Sequence, residues 1–358
     1  MRFQISQSEL GTFRTCRQKW WLQYGCGLAS KTSSDAMHTG SIAHKGIAVL
    51  YASMKVGLAK EPALALALQM VAESSATDTD FTTSEGVGDT ADDLVVRYAD
   101  AFYERDAIQY EVIYVEQPFQ LPIRWSENGK RKTVPGARFI GAADVVLRDR
   151  VTGEYVVMEH KTTGSDATSF DARFEVDPQT PGYVWASAAM LDPAPVSQFG
   201  RVVINAIRRG GPKQPKVNLD GKVSTAACDT THGIYQAALD EQVNVRGIPV
   251  TDKQVEVVTA LPRILDKWTC RHEWKYSAAE LERWRSELIA DARLLRQARS
   301  GKLAHTRNGS SCANPWNPRC DMRDACVMGP DRNITGSLYD IRGTSFSERM
   351  DRLFRRDQ

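Results

Sequence analysis

The chain has 358 residues, 42% of them hydrophobic and 25% charged, with a formal net charge of +2 at pH 7. These are ordinary globular values for one large domain or two, so any nucleic-acid-binding surface must be a local groove balanced by acidic surface elsewhere. No apolar run reaches the about 20 residues that span a bilayer, and seven cysteines, an odd number, argue against a disulfide framework and for reduced thiols, some of them metal ligands.

In chain order, Ser6-x-x-Glu9 has the form of a capping box and predicts a helix from about Gln7, with aromatic and basic sides built from Phe13, Arg14, Arg17, Trp20, Trp21 and Tyr24. After a polar loop at 30–36, helices are predicted over 39–54 and 62–72, the second rich in alanine. Residues 74–90 are rich in Ser, Thr, Asp and Gly and predict an exposed loop, followed by a helix over 91–109. The pattern then changes. Strands are predicted over 110–123, 139–147, 155–161 and 201–206, with a helix over 181–190 that carries Pro181 in its first turn. Arg208 to Lys216 is a basic loop rich in Gly and Pro, and helices follow over 234–247 and 277–299. Residues 330–358 are polar and read as a tail, mobile or packed as a short helix. The predicted fold is α/β, a small mixed sheet flanked by helices. Its expected parts are a helical N-terminal part (1–110), a core of sheet and helices (111–265), a long helix with a C-terminal cysteine group (266–329) and the tail (330–358).

Within the core, Gly141-Ala-Ala-Asp144 is followed, 14 residues after the aspartate, by Glu159-His160-Lys161. The intervening residues read as two strands around a polar turn at 149–154. Side chains alternate along a strand, so Glu159 and Lys161 share one face and His160 takes the other. A hairpin can then set Asp144 beside Glu159 and Lys161. Two carboxylates offer hard oxygen ligands for Mg²⁺ or Mn²⁺, and a lysine can orient a water or offset charge on a phosphate. The same charges would also suit the solvated face of an ordinary hairpin. Gln179 and Tyr183 lie one helical turn apart and face one side. Cys16, Cys312, Cys320 and Cys326 could form a set of soft ligands, and four thiolates suit either a 4Fe–4S cluster or Zn²⁺. Cys26 rivals Cys16 as the N-terminal member.

The order of these pieces, from Ser6 through Cys16, Gly40-Ser-Ile-Ala-His44, Asp144, Glu159-His-Lys161, Gln179-x3-Tyr183 and Cys312-x7-Cys320-x5-Cys326, resembles the RecB-like branch of the PD-(D/E)xK nucleases. That branch includes the AddB nuclease domain, CRISPR-adaptation exonucleases and phage exonucleases. The resemblance implies a restriction-endonuclease-like core and a C-terminal iron–sulfur segment. It implies metal ligation by His44, Asp144, Glu159 and the His160 carbonyl, a catalytic Lys161, and Gln179 and Tyr183 lining the site. It also implies a 4Fe–4S cluster on Cys16, Cys312, Cys320 and Cys326. Arg271, together with Arg14, Arg17, Lys19, Trp20 and Trp21, becomes a candidate for contacts to single-stranded DNA, although one of the two tryptophans may instead belong to the core.

The expected activity is a metal-dependent DNA exonuclease acting on single strands or DNA ends in recombination, repair or processing. Its rivals are a non-catalytic DNA-end-binding subunit and a structure-specific endonuclease of the same fold. No Gly-x4-Gly-Lys-Ser/Thr phosphate loop occurs, so unwinding would fall to a partner helicase. Met1-Arg-Phe-Gln-Ile runs straight into polar sequence, so no export signal and a cytoplasmic location are expected.

Overall fold

The computed structural model describes residues 3–30, 35–77, 87–127, 130–170, 177–191, 199–262, 266–312, 320–328 and 338–341. Its centre is a six-stranded mixed sheet. In chain order the strands are β1 (Phe3–Ser6), β2 (Leu28–Ser30), β3 (Tyr110–Glu127), β4 (Lys130–Asp149), β5 (Tyr155–Thr163), β6 (Arg201–Arg208), β7 (Thr269–Lys275) and β8 (Tyr339–Ile341). The main sheet runs β1-β4-β5-β6-β7, with β3 paired to β4. β1 is parallel to β4 and β5 is parallel to β6, while the β3–β4, β4–β5 and β6–β7 pairs are antiparallel. β2 and β8 form a separate two-stranded antiparallel sheet.

The helices are α1 (Gln7–Thr15), α2 (Arg17–Trp20), α3 (Asp35–Lys55), α4 (Lys60–Thr77), α5 (Val87–Tyr98), α6 (Glu104–Gln109), α7 (Thr180–Met190), α8 (His232–Asn244), α9 (Asp252–Ala260) and α10 (Ala278–Arg299). Two apolar clusters cover the two faces of the sheet. One gathers Phe119, Phe139, Val146, Val157, Val184, Ile204, Trp284 and Leu288, between the sheet and α7 and α10. The other gathers Ile42, Ile47, Leu94, Val145, Leu147, Val156, Met158 and Val203, between the sheet and α3, α4 and α5. Along β5 the alternation is visible in this division, because Val156 and Met158 belong to one cluster and Val157 to the other.

The α/β expectation holds. The long predicted elements are present, with longer bounds than the sequence pattern gave: β3 and β4 form an 18- and 20-residue hairpin, and α4 runs on to Thr77. Three short elements were not expected. β1 and β7 extend the sheet, and β8 lies in the segment read as a tail, where backbone pairing to β2 orders residues 339–341. Residues 342–358 lie outside the described residues. The capping box at the chain start is half realised. The Ser6 side chain accepts from the Glu9 N–H at 3.2 Å. The Glu9 carboxylate does not reach back to Ser6; it is buried, accepting from Trp20 Nε1 at 2.9 Å and pairing with Arg299. The Ser277 box of α10 is complete.

α3 lies close to the sheet because its facing residues are small. A Cβ on Gly40 would stand 2.7 Å from the Thr162 Oγ1, and one on Gly46 would stand 2.7 Å from a Val95 methyl. Both contacts are closer than side chains tolerate, so the two glycines set how near this helix comes to β5 and α5.

Candidate metal and catalytic site

The site lies where β4 and β5 part. Their paired positions run from Arg148↔Tyr155 to Val145↔Met158 and stop there. Asp144 and Glu159 are therefore the first residues beyond the ladder. The His160 N–H, which has no strand partner on this side, donates to Asp144 Oδ2 at 2.8 Å. A buried backbone donor needs such a partner, and here the partner is a carboxylate. Asp144 is 8% exposed and Glu159 2%.

On the face shared with α7, Lys161 Nζ donates to Glu159 Oε1 at 2.8 Å and to Gln179 Oε1 at 2.9 Å. Gln179 Nε2 donates to Glu159 Oε1 at 3.1 Å and to the Tyr183 hydroxyl at 2.9 Å. Gln179 sits at the N-cap position of α7, with Pro181 in the first turn and its own N–H held by Asp177 Oδ1. The structure thus brings Asp144, Glu159, Lys161, Gln179 and Tyr183 together. Glu159 Oε2 is buried and has no hydrogen-bond partner. A buried carboxylate oxygen without a partner is costly unless a cation completes it.

His44 reaches the site from α3, its Nδ1 3.7 Å from Asp144 Oδ2. The three-residue group of His44, Glu116 and Asp144 has potential ligand atoms within 4.8 Å of one another. Glu116, on β3, was not singled out in the sequence. The signal was faint, a lone acid within an aromatic and β-branched strand. Hairpin pairing brings it into place, since Val115 faces Val145 and Gln117 faces Ala143, leaving Glu116 opposite Asp144.

His160 points to the other face, as alternation predicts. Its ring stacks on Tyr51 at 5.4 Å, and its Nδ1 is 3.0 Å from the Tyr98 hydroxyl. From there a buried network runs through Asn205 to Arg271, whose guanidinium makes two 2.7 Å bonds to Asp106. The His160 side chain therefore belongs to this network, and only its backbone faces the site.

Charge in the site follows from crowding. Burial, then the Asp144 charge, raises the pKa of Glu159, and burial raises that of Asp144, with Lys161 opposing both. Burial lowers the pKa of His44, which favours the neutral imidazole that binds metals. Burial also works against the Lys161 charge, yet the Glu159 and Asp144 charges and its bond to Glu159 raise its pKa overall. The donors are two or three carboxylates and a neutral imidazole, with one orphaned carboxylate oxygen. This chemistry fits a hard divalent cation.

Several expected DNA contacts are engaged within the chain. The Arg271 side chain is 7% exposed and pairs with Asp106, so it is a core residue. Arg14 pairs with Asp291, Lys19 with Asp321, and Arg208 with Asp229. Trp20 is fully buried, whereas Trp21 is partly exposed and stacks on His305 at 4.4 Å.

All seven cysteines are free thiols. Cys16 caps α2, its sulfur accepting from the Lys19 N–H at 3.4 Å. Residues 306–312 dock on this end of the chain: the Gln18 N–H donates to the Thr306 carbonyl and Asn308 Nδ2 to the Thr15 carbonyl. Cys320 and Cys326 pack with Cys26 around Leu22, Leu28, Met322 and Tyr339. The segments carrying Cys16, Cys312, Cys320 and Cys326 thus meet. Among the described residues, however, no three thiol sulfurs lie within 4.8 Å of one another, as ligands of one tetrahedral ion would. A compact cysteine cluster is therefore not formed, and Cys26 lies nearer to Cys320 and Cys326 than the sequence reading allowed.

No helix among the described residues is long and apolar enough to cross a membrane. No curated protein matches the chain. The sequence profile of the PD-(D/E)XK nuclease superfamily matches residues 4–327, nearly all of the chain and every residue of the site above. The open end of the β4–β5 ladder, with its acids and lysine, is the arrangement that this profile covers, and the chain belongs to the PD-(D/E)XK nuclease superfamily.

Proposed function

We propose that this chain is a divalent-metal-dependent deoxyribonuclease of the RecB-like kind, an exonuclease acting on single-stranded DNA or DNA ends. The observation that carries this reading is the buried, partnerless Glu159 Oε2 beside Asp144, with Lys161 bonded to the same carboxylate. Asp144, Glu159 and His44 would hold Mg²⁺ or Mn²⁺, with the His160 carbonyl as a further ligand. Such an ion supplies Lewis acidity to the scissile phosphate and acidity to a bound water. Lys161 keeps a positive charge beside the reacting phosphate, where negative charge grows as the water oxygen bonds to phosphorus and the ester P–O bond breaks. Gln179 fixes the lysine by accepting its N–H, and Tyr183 fixes Gln179 in turn. The intact acids and lysine favour this reading over a non-catalytic end-binding subunit.

Recombination, repair or DNA processing, with a helicase as partner, is the setting that this activity suits. Cys16, Cys312, Cys320 and Cys326 are assigned to a 4Fe–4S cluster, which spaces its thiolates more widely than a single ion does. Anaerobically purified protein would then be brown and Cys320→Ala colourless; a colourless wild type, or a brown Cys320→Ala, removes the assignment.

The activity is tested with end-labelled linear and circular single-stranded DNA, Mn²⁺ or Mg²⁺, and wild type beside Lys161→Ala. Degradation of linear DNA alone, lost in the variant, establishes an exonuclease at this site. Cutting of circles establishes an endonuclease. DNA binding without cleavage by metal-loaded wild type establishes the end-binding subunit.

A further inference from the structure

Glu116 is the one non-glycine residue with positive φ among the described residues, at 47°. That region is unfavourable for a side chain bearing a Cβ, and it persists only where the surroundings over-determine it. The position is also a bend. Val115 packs in the cluster under α3 and α5, and four residues on, Phe119 packs in the opposite cluster. On the facing strand, Val145 and Ala143 divide in the same way. Strict alternation would have kept each pair on one face. The hairpin therefore turns over at Glu116 and Asp144, and the turn carries the Glu116 carboxylate to Asp144 and His44.

Nothing within the chain rewards that placement. Although the residue as a whole is open to solvent, its carboxyl is partly desolvated in the site and faces the charges of Asp144 and Glu159, which together push its pKa up to about 8. Strained backbone, like charges at close range and the partnerless Glu159 oxygen converge on one point. Each is unfavourable without a cation and relieved by one.

We infer that Glu116 is a ligand of the divalent cation, reaching it from β3 opposite Asp144 and held in place by a strained bend of the hairpin. The ion would thus be gripped from three separate parts of the chain: α3 by His44, β3 by Glu116, and the β4–β5 mouth by Asp144 and Glu159. The inference rests on the metal-site reading above, but not on cleavage.

The test uses full-length protein without DNA. Mn²⁺ binding is followed by isothermal titration and by the loss of the free Mn²⁺ electron paramagnetic resonance signal, for wild type, Glu116→Gln, Glu116→Gly and Asp144→Asn. Melting temperatures are taken in EDTA. Glu116→Gln keeps the shape and should weaken Mn²⁺ binding at least about tenfold, the scale on which metal sites respond to loss of supporting groups. Glu116→Gly accepts positive φ without strain and removes the like charge. It should raise the EDTA melting temperature while losing the same affinity. Mn²⁺ bound by Glu116→Gln with wild-type affinity overturns the inference, as does an EDTA melting temperature for Glu116→Gly below that of wild type. If wild type binds Mn²⁺ through Asp144 and Glu116 but cleaves no DNA, the inference stands and the nuclease reading falls. If Asp144→Asn leaves binding unchanged, the metal site itself is misplaced and both fall.

Discussion

The backbone N–H of His160 donates to Oδ2 of Asp144 at 2.8 Å, so one acid of the site is positioned by the main chain of the strand that carries the other. An asparagine can accept the same bond through its carbonyl oxygen. Asp144→Asn should therefore fold with a melting temperature close to wild type, yet lose cleavage and most of its Mn²⁺ affinity. Thermal melts and isothermal titration on one preparation check both halves. Loss of the fold would mean that the charge, rather than the geometry, holds the β4–β5 mouth together.

Lys161 contacts Glu159 and Gln179 but no group on β3 or β4 among its printed bonds. Its removal should spare the metal. Lys161→Ala is expected to bind Mn²⁺ with near wild-type affinity and to lower the cleavage rate by about 10²–10³, as when one charge-stabilising donor is removed from an active site. Single-turnover digestion of end-labelled DNA measures this. Cleavage at the wild-type rate would take Lys161 out of the chemistry.

The acids of the site make the metal-free protein sensitive to pH in an unusual direction. Asp144, Glu159 and Glu116 all have raised pKa values in the folded state, Glu116 to about 8. Unfolded carboxylates titrate near 4. Between those limits the folded chain binds more protons than the unfolded one, so stability falls as pH rises. In EDTA the melting temperature should drop from pH 5.5 to 8.5, and saturating Mn²⁺ should restore it at the upper end. Asp149 acts in the opposite sense and a lower window. Despite burial, hydrogen bonds from Thr152, Arg201, Gln109 and Val151 hold its pKa at about 2, so its contribution is lost as pH falls from about 4 toward 2. An EDTA melting temperature that climbs from pH 5.5 to 8.5 would contradict the crowding of the three acids.

Arg271 and Asp106 form a buried, doubly hydrogen-bonded ion pair, with side chains 7% and 0% exposed. Removing one partner leaves the other charged and dry. Arg271→Ala should lower stability by about 3–5 kcal/mol, read from urea unfolding, and should do so at every salt concentration because the pair is shielded from ions. A DNA-contacting arginine would behave otherwise, with little change in stability and a flatter salt dependence of DNA binding.

Residues on regular strands at their ends were legible in the sequence. Asp144, Glu159 and Lys161 stand where a two-residue period and a polar turn put them, and Gln179 and Tyr183 follow from the helical period. Glu116 was not legible, because it enters through a local reversal of alternation that no pattern of apolar residues announces. Arg271 was misread for a related reason. Next to Trp268, His272 and Trp274 it looks like a surface for DNA, but its partner, Asp106, is 165 residues away in sequence. β1 and β8 are three and four residues long, too short to carry a periodic signal, and owe their existence to pairing with distant strands.

The route of the chain also governs when its parts can become stable. β1 pairs with residues 137–140, Glu9 pairs with Arg299, and Lys19 and Gln23 both bond to Asp321. The first helices therefore have no partners while the middle of the chain is emerging from a ribosome. Contacts this distant in sequence slow folding, and transiently exposed aromatic residues such as Phe13 and Trp20 invite association with other chains. Residues 295–328 work as a closing piece. Until they are synthesised, the N-terminal helices remain an unclaimed apolar surface, and a chain shortened before them would be expected to aggregate even though every acid of the site lies upstream.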